Sequence, residues 1–195
     1  MDTSTKPNLR TLAYVIGVGI GDGNLSNPNK RATRLRISCD TKYQELIRKI
    51  QGSIREILPN NKVSIVNRNK NCIDISCYSN MWEGWLGWSA GGGPKLDQKV
   101  RVPSWIMKKE EFIIPCLRGL FETDGSVYFD RGYLMAMFVT TIPELAEDVL
   151  NMTAKIMISA KMYEIEKKPP SHTRYNIRVS KNVSDFVNLI GIQKR

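Results

Sequence analysis

The sequence predicts an α+β protein of two pseudo-symmetric halves, each reading helix–strand–strand–helix–strand–strand–helix (αββαββα). Three observations carry this. An apolar run ending in Asp-Gly occurs twice, as TLAYVIGVGIGDG over 11–23 and IIPCLRGLFETDG over 113–125. A second match follows at a similar separation: Asp22 and Asp124 stand 102 residues apart, and Glu45-Leu46-Ile47 and Glu144-Leu145-Ala146 stand 99 apart. Between these matches the apolar period switches from helical to alternating in the same order in both halves. A duplicated unit of about 95–100 residues is the size of a small domain. The halves are expected at 8–98 and 106–195.

The elements follow in order. Each apolar helix leads into a short strand, 24–27 or 126–130, and then a turn rich in Pro, Asn, Asp and Gly. Residues 34–39 alternate, with Leu35, Ile37 and Cys39 on one face and Arg34, Arg36 and Ser38 on the other. Helices are expected over 43–58 and 143–159, the second with Pro143 in its first turn. Strands over 62–67 and 72–78, and over 162–168 and 175–180, close each unit, and final helices span 79–88 and 182–190. Such a half forms a four-stranded antiparallel sheet with helices on one face. Its other face presents Arg34, Arg36, Ser38, Ser64, Asp74, Ser76, Tyr78, Asn176, Arg178 and Ser180. A 99-residue offset sets Tyr133, Met135 and Met137 opposite Arg34, Arg36 and Ser38, so the two halves are expected to present different chemistry.

Composition narrows the function. Of 195 residues, 29 are Lys or Arg and 19 are Asp or Glu, for a net charge of +10. The excess is spread, with 14 basic and 8 acidic groups in 1–97 and 15 and 11 in 98–195. A basic body without a basic tail points to a long polyanion. The longest apolar stretch, 12–20, is far short of the roughly 20 residues that span a bilayer, and Asp2 and Pro7 do not suit a secretory leader, so an intracellular protein is expected. Cys39, Cys72, Cys77 and Cys116 form no Cys-x-x-Cys pair, and a lone His172 in a turn-like run does not complete a zinc site or suggest a hydrolase base. Trp82, Trp85 and Trp88 read as one buried helix stripe, 91–94 as a flexible loop, and His172 with Arg174 as a hairpin tip able to touch a phosphate.

The paired helices carry the specific signal. Interior glycines cost roughly 1 kcal/mol each against Ala, so Gly17, Gly19 and Gly21 need a compensating gain. Gly17 and Gly21 share a face, and Gly119 and Thr123 stand at the matching places, so the two helices can approach closely about a pseudo-two-fold axis. Asp22 and Asp124 then fall together at the negative ends of both helix dipoles. Two carboxylates and several carbonyls in one place call for a hard cation such as Mg2+.

The segments IGVGIGDG (16–23) and LRGLFETDG (117–125) closely resemble the two signature helices of single-chain LAGLIDADG homing endonucleases, and the order of strands and helices agrees over nearly the whole chain. The resemblance implies a saddle of antiparallel sheets around a two-helix interface of Gly17, Gly21, Gly119 and Thr123. It implies that Asp22 and Asp124 bind the catalytic metals, with the backbone at Gly21 and Thr123 adding a contact. Mg2+ or another divalent ion would support cleavage, and Ca2+ binding alone. Lys99, in KVRVP (99–103), resembles a family lysine that polarises water or phosphate, and Lys194 is its counterpart. The motifs differ at one place, Ile20 in the first and Glu122 in the second, where the family's acid is usually structural. The saddle would bind double-stranded DNA through Arg34, Arg36, Ser38, Ser64, Arg68, Lys70, Ser76, Tyr78, Arg174, Asn176 and Arg178. The implied activity is a monomer's metal-dependent cutting of both strands of a long, asymmetric site. An RNA-binding intron maturase and a non-cleaving DNA-binding regulator of the same fold are the alternatives.

Overall fold

A computed structural model describes residues 6–68 and 71–192. The first half comprises α1 (Leu9–Asp22), β1 (Gly23–Ser26), β2 (Arg34–Asp40), α2 (Gln44–Ile57), β3 (Val63–Asn67), β4 (Cys72–Tyr78) and α3 (Trp82–Leu86). A 3-10 turn at Ile106–Lys108 precedes the second half. That half comprises α4 (Glu110–Thr123), β5 (Gly125–Asp130), β6 (Tyr133–Thr140), α5 (Pro143–Lys155), β7 (Ala160–Ile165), β8 (Arg174–Val179) and α6 (Val183–Ile190). Each half holds one antiparallel sheet, ordered β1-β2-β4-β3 and β5-β6-β8-β7. The α+β architecture of two repeated units is the one the sequence predicts.

Alternation sets the faces. In the first sheet Leu35, Ile37, Ile73, Ile75 and Cys77 are buried under the helices, and in the second Ala136, Phe138, Ile177 and Val179 are. Helix α1 starts on Asn8, whose side chain accepts from the N–H groups of Arg10 and Thr11, two of the donors a helix start leaves unpaired. It is buried on every side from Leu12 through Ile20 because it packs on α4, α2, α3 and β2 at once.

Local chemistry moves several boundaries. The third helix is five residues rather than the expected 79–88, because Gly87 turns left-handed at φ 81° and donates its N–H to the Glu83 carbonyl. Trp88 therefore lies beyond the helix and not in a helical stripe with Trp82, although both are buried. Helix α5 stops at Lys155, ahead of a left-handed Met157 at φ 60°. The strand register also differs. Ile37 and Phe138 pair with the glycines that follow the two aspartates, so the strands are related by 101 residues and not 99. Met135, Met137 and Val139 thus stand opposite Arg34, Arg36 and Ser38. The parity is as expected and the partner is two residues along, because the connection from β6 to α5 is shorter than that from β2 to α2.

The loop 91–94 is tied down rather than loose. The Gln98 amide donates to the carbonyls of Ser89 (3.1 Å) and Gly93 (2.9 Å) and accepts from the Ser89 N–H at 2.9 Å. Further on, the Asp148 carboxylate accepts from the Val102 N–H at 2.9 Å and from Arg101 at 2.9 Å, fastening the connecting segment to α5. This fixed connection sets the position of Lys95.

Candidate functional site

The two signature helices meet where their side chains vanish. A Cβ on Gly17 would fall on the Cys116 carbonyl, and one on Gly119 would stand 2.5 Å from the Tyr14 carbonyl and 2.7 Å from the Val18 nitrogen. Backbone meets backbone, with no room for a methyl group on either helix. At the end of the interface Gly21 faces Thr123: a Cβ there would strike the Thr123 side chain and lie 3.3 Å from a carboxylate oxygen of Asp124. Gly19 faces α3 instead, receiving the Leu86 side chain. The Thr123 hydroxyl donates back to the carbonyls of Gly119 (3.0 Å) and Leu120 (2.9 Å).

Asp22 ends α1 and Asp124 caps α4, both exposed, so the structure brings each to the same end of the helix pair. Two clefts flank them in equivalent positions. One, of about 580 Å³, joins Asp124 to Ile20, Gly21, Lys95, His172 and Arg174. The other, of about 360 Å³, joins Asp22 to Glu122, Thr123, Asp40, Lys42 and Tyr43. Each acid thus shares its cleft with the last residues of the opposite signature helix. Among the described residues no cluster of three or more His, Cys, Asp and Glu side chains is arranged to hold a metal ion. A divalent ion here would rely on the two carboxylates and on main-chain oxygens, hard donors of the kind Mg2+ and Ca2+ take.

Lys95 shows that the corner accepts positive charge. Its ammonium donates to the carbonyls of Gly19 (3.2 Å), Ile20 (2.6 Å) and Gly21 (2.7 Å) and lies 5.1 Å from the centre of the Trp88 ring. Three carbonyls of the last turn of α1 converge on one cation, that of Gly19 accepting also from the Gly23 N–H, and the charge offsets the dipole's negative end. Burial pulls its pKa down to about 8, against the opposing pull of Asp124 and Asp22. Lys99 is exposed in a turn at φ 49° and lines neither cleft, whereas Lys95 lines that of Asp124. Lys194 lies outside the described residues.

Glu122 is 1% exposed and braces the helix pair. It accepts from the Tyr14 hydroxyl at 2.8 Å and from the Lys49 ammonium at 2.9 and 3.1 Å, linking α4 to α1 and α2. Burial and the neighbouring carboxylate push the Tyr14 pKa up, and burial pulls that of Lys49 down. The motif-one position, Ile20, is buried and apolar, so this brace exists on one side only.

The open face of the first sheet carries Arg34, Arg36 and Ser38 on β2, Ser76 and Tyr78 on β4 and Ser64 on β3, in register with one another. Asp74 lies among them at 3% exposure. Its carboxylate accepts from the Ser38 hydroxyl at 2.7 Å, pairs with Arg68, and stands 3.9 Å from the Arg36 Nε. Arg34 donates to the Ser26 hydroxyl at 3.1 Å. Asp74 thus holds the Arg68 guanidinium and places a negative charge near that of Arg36, whose Nε is buried without a hydrogen-bond partner. Lys70 lies outside the described residues. On the second sheet Arg174, Asn176 and Arg178 share the open face with Met135, Met137, Val139, Lys161, Tyr163 and Ile165. Arg174 and His172 also reach the Asp124 cleft. The described residues contain no helix long and apolar enough to cross a membrane.

A duplicated αββαββα chain whose first helices pack through glycine and end in paired aspartates defines a single-chain, two-motif architecture. The chain has the two-motif LAGLIDADG fold: residues 111–191 match the LAGLIDADG-like domain model, and residues 11–75 match the WhiA LAGLIDADG-like domain model. A structure of mesophilic variants of the homing endonuclease I-DmoI superposes with a TM-score of 0.66, at 17% identity, covering 93% of this chain and 95% of that one. I-DmoI in complex with DNA and Ca gives 0.64, at 17% identity, over 92% and 86%. The N-terminal LAGLIDADG domain of DUF199/WhiA gives 0.61, at 17% identity, over 95% and 84%. Among curated proteins, the tRNA-splicing ligase RtcB of Pyrococcus abyssi is 23% identical over 96% of this chain and 22% of its own length. The ATP-dependent DNA helicase Hel308 of Thermococcus kodakarensis is 25% identical over 86% of this chain and 15% of its own length. The chain therefore spans about a fifth or less of these curated relatives.

Proposed function

We propose that the protein is a site-specific DNA endonuclease that cuts both strands of a long, asymmetric duplex by divalent-metal-dependent hydrolysis. The observation that carries this is the pair of exposed carboxylates, Asp22 and Asp124, at the joined ends of α1 and α4. A protein that only bound DNA would gain nothing from two acids facing a phosphate backbone. Solved I-DmoI relatives hold DNA with Ca or Mn, which supports the same partner and ion class here. The ligase and helicase matches support a module carried within proteins of unrelated activity, as expected of a mobile genetic element.

In this reading Asp22, Asp124 and the main-chain oxygens of Gly21 and Thr123 hold the metal, Mg2+ for cleavage and Ca2+ for binding alone. Bound there, the ion would offset charge on the attacking and leaving oxygens of the scissile phosphate. The chain's own residues do the rest. The glycine interface fixes the spacing of the two acids, and Arg34, Arg36 and Arg68 hold phosphates or guanine edges of one half-site. Arg174, Asn176 and Arg178 serve the other half-site, where the half-buried Met137 suits a thymine methyl and the buried Met135 lies behind Arg178. Each sheet follows about one turn of duplex (~10 bp), and one chain supplies both halves, so the protein acts as a monomer.

The N-terminal match to the WhiA model favours a second reading, a DNA-binding protein of this fold that does not cleave. Incubation with a randomised duplex library and Mg2+ separates the two. Recurrent breaks within one sequence of about two helical turns are expected; enrichment of a bound but intact sequence supports the second reading. RNA binding without DNA binding would instead indicate a maturase. On the selected duplex, replacing Arg34 and Arg36 together by Ala is expected to weaken binding and lower the slope of log K against log salt by about 2, one counterion per lost phosphate contact. An unchanged slope would remove both residues from the interface.

A further inference from the structure

We propose that the Lys95 ammonium is a resident cation of the corner formed by Gly21 and Asp124, so that a divalent metal enters this half of the site only by displacing it. The inference rests on the metal reading above and adds to it a competitor built into the chain. Three observations support it. The ammonium donates to the carbonyls of Gly19, Ile20 and Gly21, at 2.6–3.2 Å. Those oxygens are hard, uncharged donors pointing at one place, and one of them belongs to the residue that would hold the metal. Asp124 lies at the same place, since its carboxylate would come within 3.3 Å of a Cβ on Gly21 and it lines the cleft that Lys95 lines.

The lysine is also held there from behind. Gln98 fastens the loop before it through Ser89 and Gly93, and Trp88 lies under the ammonium. A side chain serving only to finish a helix would need no such frame, because a solvated lysine at a helix end gains the dipole energy without one. An ammonium and a divalent ion a few ångströms apart repel even in water, so the two do not share the corner. Withdrawal of Lys95 would leave it free to approach a phosphate oxygen at the mouth of the same cleft, coupling metal entry to the positioning of a cation on the DNA side.

The test counts Mn2+ bound to the DNA-free protein, read from the loss of the free-ion electron paramagnetic resonance signal, in the parent, Lys95→Met, Asp124→Asn and the Lys95→Met/Asp124→Asn pair. Lys95→Met is expected to tighten an Asp124-dependent site by about tenfold or more. Lys95→Arg, which keeps the charge, is expected to stay near the parent. A merely structural lysine would lower the melting temperature of Lys95→Met and leave the Asp124-dependent affinity unchanged or weaker, which overturns the inference while the parent's Mn2+ binding upholds the metal reading. Loss of Asp-dependent Mn2+ binding in every variant and in the parent overturns both. Should Lys95→Met fail to fold, the parent suffices: Mg2+ that saturates the site is expected to shift the Lys95 ε-carbon resonance, and bound Mg2+ with an unmoved resonance refutes displacement.

Discussion

On the proposed function, Asp22→Asn and Asp124→Asn are each expected to abolish double-strand cleavage while leaving DNA binding intact or stronger. Each change removes a negative charge from a surface that faces phosphates, so binding measured in Ca2+ persists or tightens. A neutral amide is a far poorer ligand for a hard divalent ion than a carboxylate, so cleavage in Mg2+ falls by about a hundredfold or more, the scale of losing one source of transition-state charge stabilisation. The two clefts give the variants different residues. Asp22 shares its cleft with Thr123, and Asp124 shares its own with Gly21 and Lys95. Residual nicking is therefore expected on opposite strands in the two variants. Equal double-strand cutting by either variant and the parent, measured on one substrate by gel, removes the carboxylates from the chemistry.

Gly119→Ala damages the protein by another route. The added carbon would lie 2.5 Å from the Tyr14 carbonyl and 2.7 Å from the Val18 nitrogen, both main-chain atoms of a helix buried on every side. Neither can swing away as a side-chain tip does, so the helices must part. The cost is expected at or above the top of the usual overpacking range, about 3 kcal/mol, which lowers the melting temperature by roughly 6–12 °C for a chain of this size. The control is Gly52→Ala in α2, where a Cβ meets nothing within 4 Å; it is expected to be neutral or stabilising. Matching melting curves for the two variants would show that the interface tolerates a methyl group.

The contrast between these glycines indicates what the sequence conveys and what it withholds. Gly17, Gly119 and Thr123 are readable because a helix interior rejects glycine unless something approaches closely, and the same spacing occurs twice. Strand faces are readable because alternation is strict: Leu35, Ile37 and Arg36 stand on the sides that their parity gives. Register is harder. The offset measured on α2 and α5 fails on the strands, since loop lengths differ between halves and no periodic signal records that.

The ionic contacts are the least readable. Lys95 sits in an irregular connection, where position depends on the Gln98 contacts and not on any period, and Lys99 matched by local similarity alone. Asp74 reads as one more polar residue on a wet face, and only the fold shows that it is buried, pairs with Arg68 and lies near Arg36. The Tyr14–Glu122–Lys49 brace joins three helices from distant parts of the chain. A departure from the repeated motif, Glu122 against Ile20, was its one visible trace.

Strand-resolved cleavage of the selected duplex gives the most direct test. With each strand labelled at its 5′ end, the parent protein is incubated with Mg2+, with Ca2+ and with chelator. Cuts at one fixed position on each strand are expected in Mg2+ alone, with the duplex bound and whole in Ca2+. A duplex that is bound in Mg2+ yet remains intact on both strands would contradict the assignment of Asp22 and Asp124 to catalysis and leave a DNA-binding protein of the same fold.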